Sequence, residues 1–315
     1  RRPAMLTALH LLLVPLTFLA GAAVGSFVNV CVYRIPWEKS ILWPDSRCPR
    51  CLSAIRPRDN VPILGWFLLK GKCRDCGLPI APRYPLVEAL VGLLFVGAYL
   101  VDVAAVGDQL MMGDAIARAV ARAGYHQALL AFLTVATFID YDLYLIPDEV
   151  TVPGMFVGLS VAALCPWVRA TPADSASLGG ALLVGVIGLV VGGLLVWVVR
   201  FFGSIVFRKE AMGFGDVTLL AMIGAFLGWQ AAVLTFFLAP FFGIGHAFWK
   251  LVPLLAKKLM RRETTGSDHE MPFGPYLSMA AATLVLSWPW LWPGWAGPLF
   301  QQLRMVFFFV LGLEK

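Results

Sequence analysis

The chain has 315 residues, of which 59% are hydrophobic and only 14% charged, and its formal net charge is +6. A soluble domain is normally about one quarter charged, so this composition excludes an ordinary soluble enzyme, a disordered chain, a collagen-like chain and a disulfide-rich secreted mini-protein. A polytopic membrane protein remains, and the positive balance reads as the mark of cytoplasmic loops rather than of a nucleic-acid surface.

In chain order, apolar segments occupy 5–33, 84–101, 125–146, 150–168, 178–202, 211–229, 231–256 and 276–299. Each approaches the ~20 residues that cross a ~30 Å hydrocarbon core. The expected fold is therefore all-α and polytopic, with about eight transmembrane helices and a small cytoplasmic zinc-ribbon-like insert. Four parts follow: a first span at 1–33, the insert at 34–83, a transmembrane core at 84–300 and a short interfacial segment at 301–315. Arg1 and Arg2 precede the first span as in a signal peptide, but no small-residue cleavage site follows, and the span reads as retained. Lys and Arg number ten in 34–83, two in 102–124, one in 169–177, three in 200–210 and five in 250–275. That alternation places 34–83, 200–210 and 250–275 on the cytoplasmic side. No internal repeat is expected.

Cys48-Pro-Arg-Cys51 and Cys73-Arg-Asp-Cys76 enclose 21 residues. Two such knuckles supply four thiolates to one tetrahedral centre, a donor set that suits zinc. Arg47, Arg50, Lys72 and Arg74 flank the sulfurs and favour the thiolate form. With all four positions filled by Cys48, Cys51, Cys73 and Cys76, no site is left for a catalytic water, so the metal is structural. A redox dithiol pair is the other reading. Cys31 and Cys165 read as lone inert thiols.

Acids beside spans are expensive and read as functional. They lie in Asp140-Tyr141-Asp142, in Pro147-Asp148-Glu149 and in Gly213-Phe214-Gly215-Asp216. Two carboxylates from different helices sharing one proton perform general acid–base chemistry on a peptide bond. Gly213 and Gly215 would let backbones or a substrate strand approach closely, and Pro147 interrupts regular hydrogen bonding beside the first acid. Bland readings stand beside these: Asp148 and Glu149 as first-turn helix residues, Asp142 as a solvated interfacial group, the glycines as packing residues, and His246 as a hydrogen-bonded packing residue. Trp288, Trp290, Trp292 and Trp295 read as an interfacial belt.

Seven motifs stand in one order: Gly25-Ser-Phe-Val-Asn-Val-Cys-Val-Tyr-Arg-Ile-Pro36, the CxxC pairs around Asp59-Asn60-Val61-Pro62, Gly71-Lys72-Cys73-Arg74, Arg83-Tyr84-Pro85-Leu86-Val87-Glu88, Ile139-Asp140 through Ile146-Pro147-Asp148, Met212-Gly213-Phe214-Gly215-Asp216, and Pro272-Phe273-Gly274-Pro275-Tyr276. Over nearly the whole chain this resembles the type IV prepilin peptidases, also called prepilin leader peptidase/N-methyltransferases, which are GxGD aspartic proteases. The resemblance implies cleavage of the basic leader of prepilins and pseudopilins after Gly, at the cytoplasmic face of the bacterial inner membrane. It carries the catalytic aspartates over to Asp140 and Asp216, and Asp140 is preferred to Asp142 because the family's aspartate lies seven residues before the proline, here Pro147. The cysteine insert is typical of bifunctional members. It implies N-methylation of the new terminus with S-adenosylmethionine as donor, and Glu88 is a candidate for the methyl-transfer site. Asp142, Asp148 and Glu149 are candidates for attracting the basic leader.

Membrane lipid and prepilins are the expected partners, and nucleic acid is not. The oligomeric state is left open. Two competing readings are a GxGD protease that cuts within transmembrane helices without methylating, and a non-enzymatic scaffold or transporter. The second would predict inverted repeats with broken helices.

Overall fold

A computed structural model describes residues 2–104, 113–169, 178–208, 212–259 and 272–310. Among these residues the regular structure is helical, and the only β pairing is two isolated bridges, Arg47–Ala54 and Lys72–Pro79. The helices are α1 (Arg2–Arg34), α2 (Leu64–Leu68), α3 (Arg83–Asp102), α4 (Gly113–Leu143), α5 (Asp148–Leu164), α6 (Leu178–Phe207), α7 (Phe214–Leu227), α8 (Trp229–Leu259), α9 (Gly274–Leu291) and α10 (Gly297–Val310). A π-helical turn, Trp292–Ala296, joins the last two. The chain divides into two compact units, residues 1–154 and 155–315.

Each of the eight apolar segments contains a helix among the described residues, but eight crossings are not established. Among the described residues, four helical stretches are long and apolar enough to cross a membrane: His10–Trp37, Arg83–Asp102, Gly179–Val206 and Trp229–Lys250. At 1.5 Å per residue, the 17 residues of α5 and the 14 of α7 reach only about 25 Å and about 21 Å. Part of the 301–315 segment belongs to α10, and residues 311–315 lie outside the described residues.

In the first unit α1 packs backbone to backbone on α3. A Cβ on Gly21 would stand 2.8 Å from the Gly92 Cα, and one on Gly25 would stand 2.7 Å from the Glu88 Cα. This is the small-residue packing expected where lipid removes the hydrophobic drive between helices. Polar side chains pair across the same helices. His126 Nδ1 of α4 lies 2.6 Å from Asp102 Oδ2 of α3, both buried, and His10 Nδ1 of α1 lies 2.7 Å from the Tyr99 hydroxyl of α3.

In the second unit α7 is the central helix. Every residue from Asp216 to Leu227 except Thr218 is buried, the mark of a helix apolar on all sides and enclosed by others. Its tightest neighbour is α6, where Gly188 faces the Gly224 backbone and Gly192 faces the Leu220 carbonyl, with no room for a Cβ. Arg169 is not a loop charge: its side chain is buried and donates to the carbonyls of Ala181 (2.6 Å) and Ala225 (3.2 Å). His246 Nδ1 lies 2.5 Å from the Tyr276 hydroxyl, in keeping with a packing role. Trp288 is buried and stacks on Trp292, so the belt reading holds at most for the exposed Trp290 and Trp295.

Candidate functional site: two buried acids and a four-cysteine centre

Asp140 lies one turn from the end of α4 and is buried. It continues the buried stripe Leu129, Leu133, Ala136, whose spacing puts all four residues on one helix face. Asp142 is rotated about 200° from it and is one-third exposed. It forms a 2.7 Å ion pair with Arg83 at the start of α3. The same guanidinium lies 4.9 Å from the Phe138 ring centroid, one turn before Asp142. The two neighbouring acids therefore have different surroundings, one inside the helix packing and one on a surface pair.

Beyond α4, Pro147 is buried, and its carbonyl accepts from the N–H groups of Val150 (3.1 Å) and Thr151 (3.4 Å) to start α5. Asp148 and Glu149 are exposed in the first turn, where the helix dipole favours acids. Their bland reading is thus satisfied without excluding contact with a basic peptide.

Asp216 is buried in the first turn of α7. Gly213 is the N-cap and carries no side chain to bond the free amides, and a Cβ there would lie 3.6 Å from Asp216 Oδ2. The carboxylate therefore folds back over the helix start, where exposed amides and the dipole favour negative charge. Gly213 is exposed and Gly215 half-buried, so bare backbone borders this acid. Asp140 belongs to the first unit and Asp216 to the second.

The four cysteines come together as expected. Their sulfurs all lie within 4.8 Å of one another, with Cys48–Cys76 at 3.7 Å and Cys51–Cys73 at 4.0 Å. A tetrahedral zinc with Zn–S of about 2.3 Å requires sulfurs about 3.8 Å apart, so the donor set and its size fit zinc and no disulfide spans it. The centre contains a ten-residue repeat that the sequence reading missed. Cys48 N–H donates to Ser53 O and Cys73 N–H to Leu78 O. Leu52 N–H donates to Cys48 O and Gly77 N–H to Cys73 O. Ile55 N–H donates to Ser46 O and Ile80 N–H to Gly71 O. Segments 46–55 and 71–80 thus share one fold. Only the cysteines, the isoleucines and a basic residue before the first cysteine match, too little for a sequence comparison to detect. Trp66 packs on the second segment, with Nε1 donating to Ile80 O at 3.0 Å and its ring against Gly71.

The thiols do not behave alike. The Ser53 hydroxyl and then the Ser53 backbone push Cys51 down to about 6. The backbone N–H groups of Cys76 and Asp75 lower Cys73. For Cys76 the Leu78 N–H favours the thiolate, but desolvation and the other three cysteines outweigh it and push the thiol up to about 11. Four thiolates repel one another, and a divalent cation removes that repulsion. Arg74 binds Asp59 through two bonds of 2.8 Å and 2.6 Å, tying the second knuckle to the segment between the two.

Glu88 sits where insert meets bundle. Its Oε2 accepts from Ile63 N–H at 2.6 Å, and the Ser26 side chain is a second partner. Ile63 has a φ of 63°, costly for a β-branched residue, so the carboxylate holds a strained turn in place.

Comparison with known proteins places these features. Residues 19–101 match the model of the bacterial peptidase A24 N-terminal domain, and residues 127–248 match that of the type IV leader peptidase family. Curated relatives include prepilin leader peptidase/N-methyltransferases of Myxococcus xanthus (35% identical, covering 92% of this chain and 75% of the relative), Klebsiella pneumoniae (38%, 70% and 88%) and Aeromonas hydrophila (34%, 84% and 87%). No solved structure matches the chain.

Proposed function

This chain belongs to the prepilin leader peptidase/N-methyltransferase family, and from that premise we propose that it removes the leader of type IV prepilins and pseudopilins and methylates the amine so released. The observation that carries the proposal is a buried carboxylate at each of two helix ends, Asp140 closing α4 and Asp216 opening α7, both within the segment that matches the peptidase family. As a pair on one water, one carboxylate takes the water proton as oxygen attacks the scissile carbonyl, and its protonated partner hydrogen-bonds the carbonyl oxygen. Collapse of the tetrahedral intermediate breaks the C–N bond, and the proton passes to the leaving amine. Gly213 and Gly215 leave the start of α7 open to a substrate strand, and Pro147 ends the loop that follows the first acid. We place this chemistry at the cytoplasmic face of the inner membrane, where the basic loops lie and where a prepilin's apolar segment would deliver its scissile bond. Cys48, Cys51, Cys73 and Cys76 hold a structural zinc that folds an insert too small for a core of its own. S-adenosylmethionine supplies an electrophilic methyl group. Glu88, a carboxylate at the junction of insert and bundle, is the candidate to face its cationic sulfonium.

The test is cleavage and methylation of a full-length prepilin in liposomes with a labelled methyl donor. Wild type is expected to release leader and label the new terminus. Asp140→Asn and Asp216→Asn should each lose cleavage by about 10²–10⁴-fold with unchanged thermal stability. Full cleavage by either variant would remove the aspartic mechanism. Cys48→Ser/Cys73→Ser shows whether the insert serves methylation alone or both steps.

A further inference from the structure

The insert 34–83 carries ten Lys and Arg against four Asp and Glu. That excess equals the net +6 of the entire chain, so the remainder is neutral. Two of the four acids are already neutralised within the insert, Asp59 by Arg74 and Asp75 by Arg56. Exposed Arg47, Arg50, Lys70 and Lys72 remain as surface charge.

The insert also exposes large apolar side chains. Leu64, Phe67 and Leu68 project from α2 at 56%, 63% and 74% exposure, and their i, i+3, i+4 spacing makes one face. Leu42 and Trp43 are exposed at 82% and 71%. Such clusters on a small fold mark an interaction surface.

Both clusters are tied to the ends of membrane spans. Ile63, the N-cap of α2, is bonded to Glu88, the sixth residue of α3. The flanking α3 residues Leu86 and Leu90 are exposed and apolar. The 40–44 loop is pinned to the last residue of α1, where Arg34 donates to Ser40 O at 2.9 Å and Pro44 O at 2.6 Å. The apolar tips are therefore held within a few residues of the ends of two helices long and apolar enough to span, with the basic residues on the same small fold.

We propose that the insert is seated on the membrane, with the Leu64–Phe67–Leu68 face of α2 and the Leu42–Trp43 tip in the interface and its basic residues on the phosphates of an anionic leaflet. Apolar burial combined with attraction to anionic headgroups is the mode of interfacial amphipathic helices. Charge complementarity selects this occupant, because a basic prepilin leader would be repelled by the same surface.

Amide hydrogen exchange on the full chain in nanodiscs tests the proposal, comparing phosphatidylcholine with phosphatidylglycerol-rich bilayers. In anionic lipid, amides of 41–44 and 64–70 should exchange about tenfold more slowly than in neutral lipid, as several basic residues near a charged surface imply. High salt should shrink the difference. Phe67→Ser/Leu68→Ser should lose the protection at 64–70 while the knuckles, 46–55 and 71–80, exchange as in wild type. Arg47→Gln/Arg50→Gln/Lys70→Gln should erase the difference between the two lipids. Three outcomes overturn the proposal: equal exchange in both lipids and in the serine variant, which puts the insert in water; protection only when prepilin is added, which assigns the surface to a protein partner; and protection that grows with protein density, which assigns it to a second copy of this chain.

Discussion

The two cysteine knuckles perform the same turn with different residues, and the difference has a measurable consequence. After the second cysteine of each knuckle the chain turns left-handed, at Leu52 with φ 57° and at Gly77 with φ 72°. Both N–H groups close the turn on the carbonyl of the first cysteine, at 2.9 Å and 3.0 Å. A left-handed conformation costs an L-residue roughly 1–2 kcal/mol, whereas glycine adopts it freely but gives up about 0.5–1 kcal/mol more backbone freedom on folding. Leu52 is 65% exposed, so its truncation forfeits little burial. Leu52→Gly should therefore stabilise the insert by about 0.5–1 kcal/mol. A Cβ at Gly77 meets nothing within 4 Å, so Gly77→Ala tests the backbone alone and should cost about 1 kcal/mol. Metal binding and folding are one equilibrium in such a small unit. The expected readout is roughly two- to fivefold tighter zinc retention for Leu52→Gly and about fivefold weaker retention for Gly77→Ala, measured on the full chain by competition with a chromophoric chelator. If Gly77→Ala held zinc as wild type does, or Leu52→Gly held it more weakly, the left-handed turn would not limit the stability of the centre and the reasoning would fail.

Five further expectations concern how the helices and insert are held. Gly224→Ala drives a methyl into the Gly188 backbone and should cost at least about 1–3 kcal/mol in thermal unfolding. Gly124→Ala in α4, where a Cβ meets nothing within 4 Å, should gain about 0.4–1 kcal/mol. Arg169→Met leaves the Ala181 and Ala225 carbonyls without their shared donor and should cost about 2–4 kcal/mol. Arg169→Lys should recover only part, since one ammonium lacks the fork that reaches two helices. Glu88→Ala should release Ile63 and raise exchange of the amides around it by the loss of about 1.5–3 kcal/mol, the worth of a bond to a charged acceptor, while Glu88→Gln, which keeps an oxygen, should lose less. The Arg74 hydrogen bonds hold the Asp59 carboxyl below its ordinary range. Its contribution is thus complete above the unfolded value of about 3.9 and is lost as pH falls through the lower folded value. An acid titration of insert exchange should show this loosening, and Asp59→Asn should show a smaller one.

The order of helices, the cysteine centre and both candidate acids were legible in the sequence, because each rests on a local pattern. Apolar runs identify helices by length, two CxxC pairs bring four sulfurs to one point, and acids beside apolar runs mark candidates, among which the resemblance singles out Asp140 and Asp216. The choice of Asp140 over Asp142 came from the resemblance, and only the structure places Asp140 in the buried stripe with Leu129, Leu133 and Ala136. The number of crossings is not settled by apolar length, since four described helices are long and apolar enough to span while α5 and α7, bounded by Pro and Gly, lie at or below the short end of the crossing range. Nor were the pairings between distant residues. Asp142 meets Arg83 across 59 positions, Asp102 meets His126, and Arg169 enters the packing of α6 and α7 instead of the loop where its charge was counted. The knuckle repeat stayed hidden because its likeness lies in backbone hydrogen bonds, which side-chain identity barely records, and Leu52 occupies a turn that composition would assign to glycine. Periodicity and spacing carry what a segment does along its own axis. Which polar group meets which across two helices depends on how those helices approach, and that is decided by the packing of the whole unit.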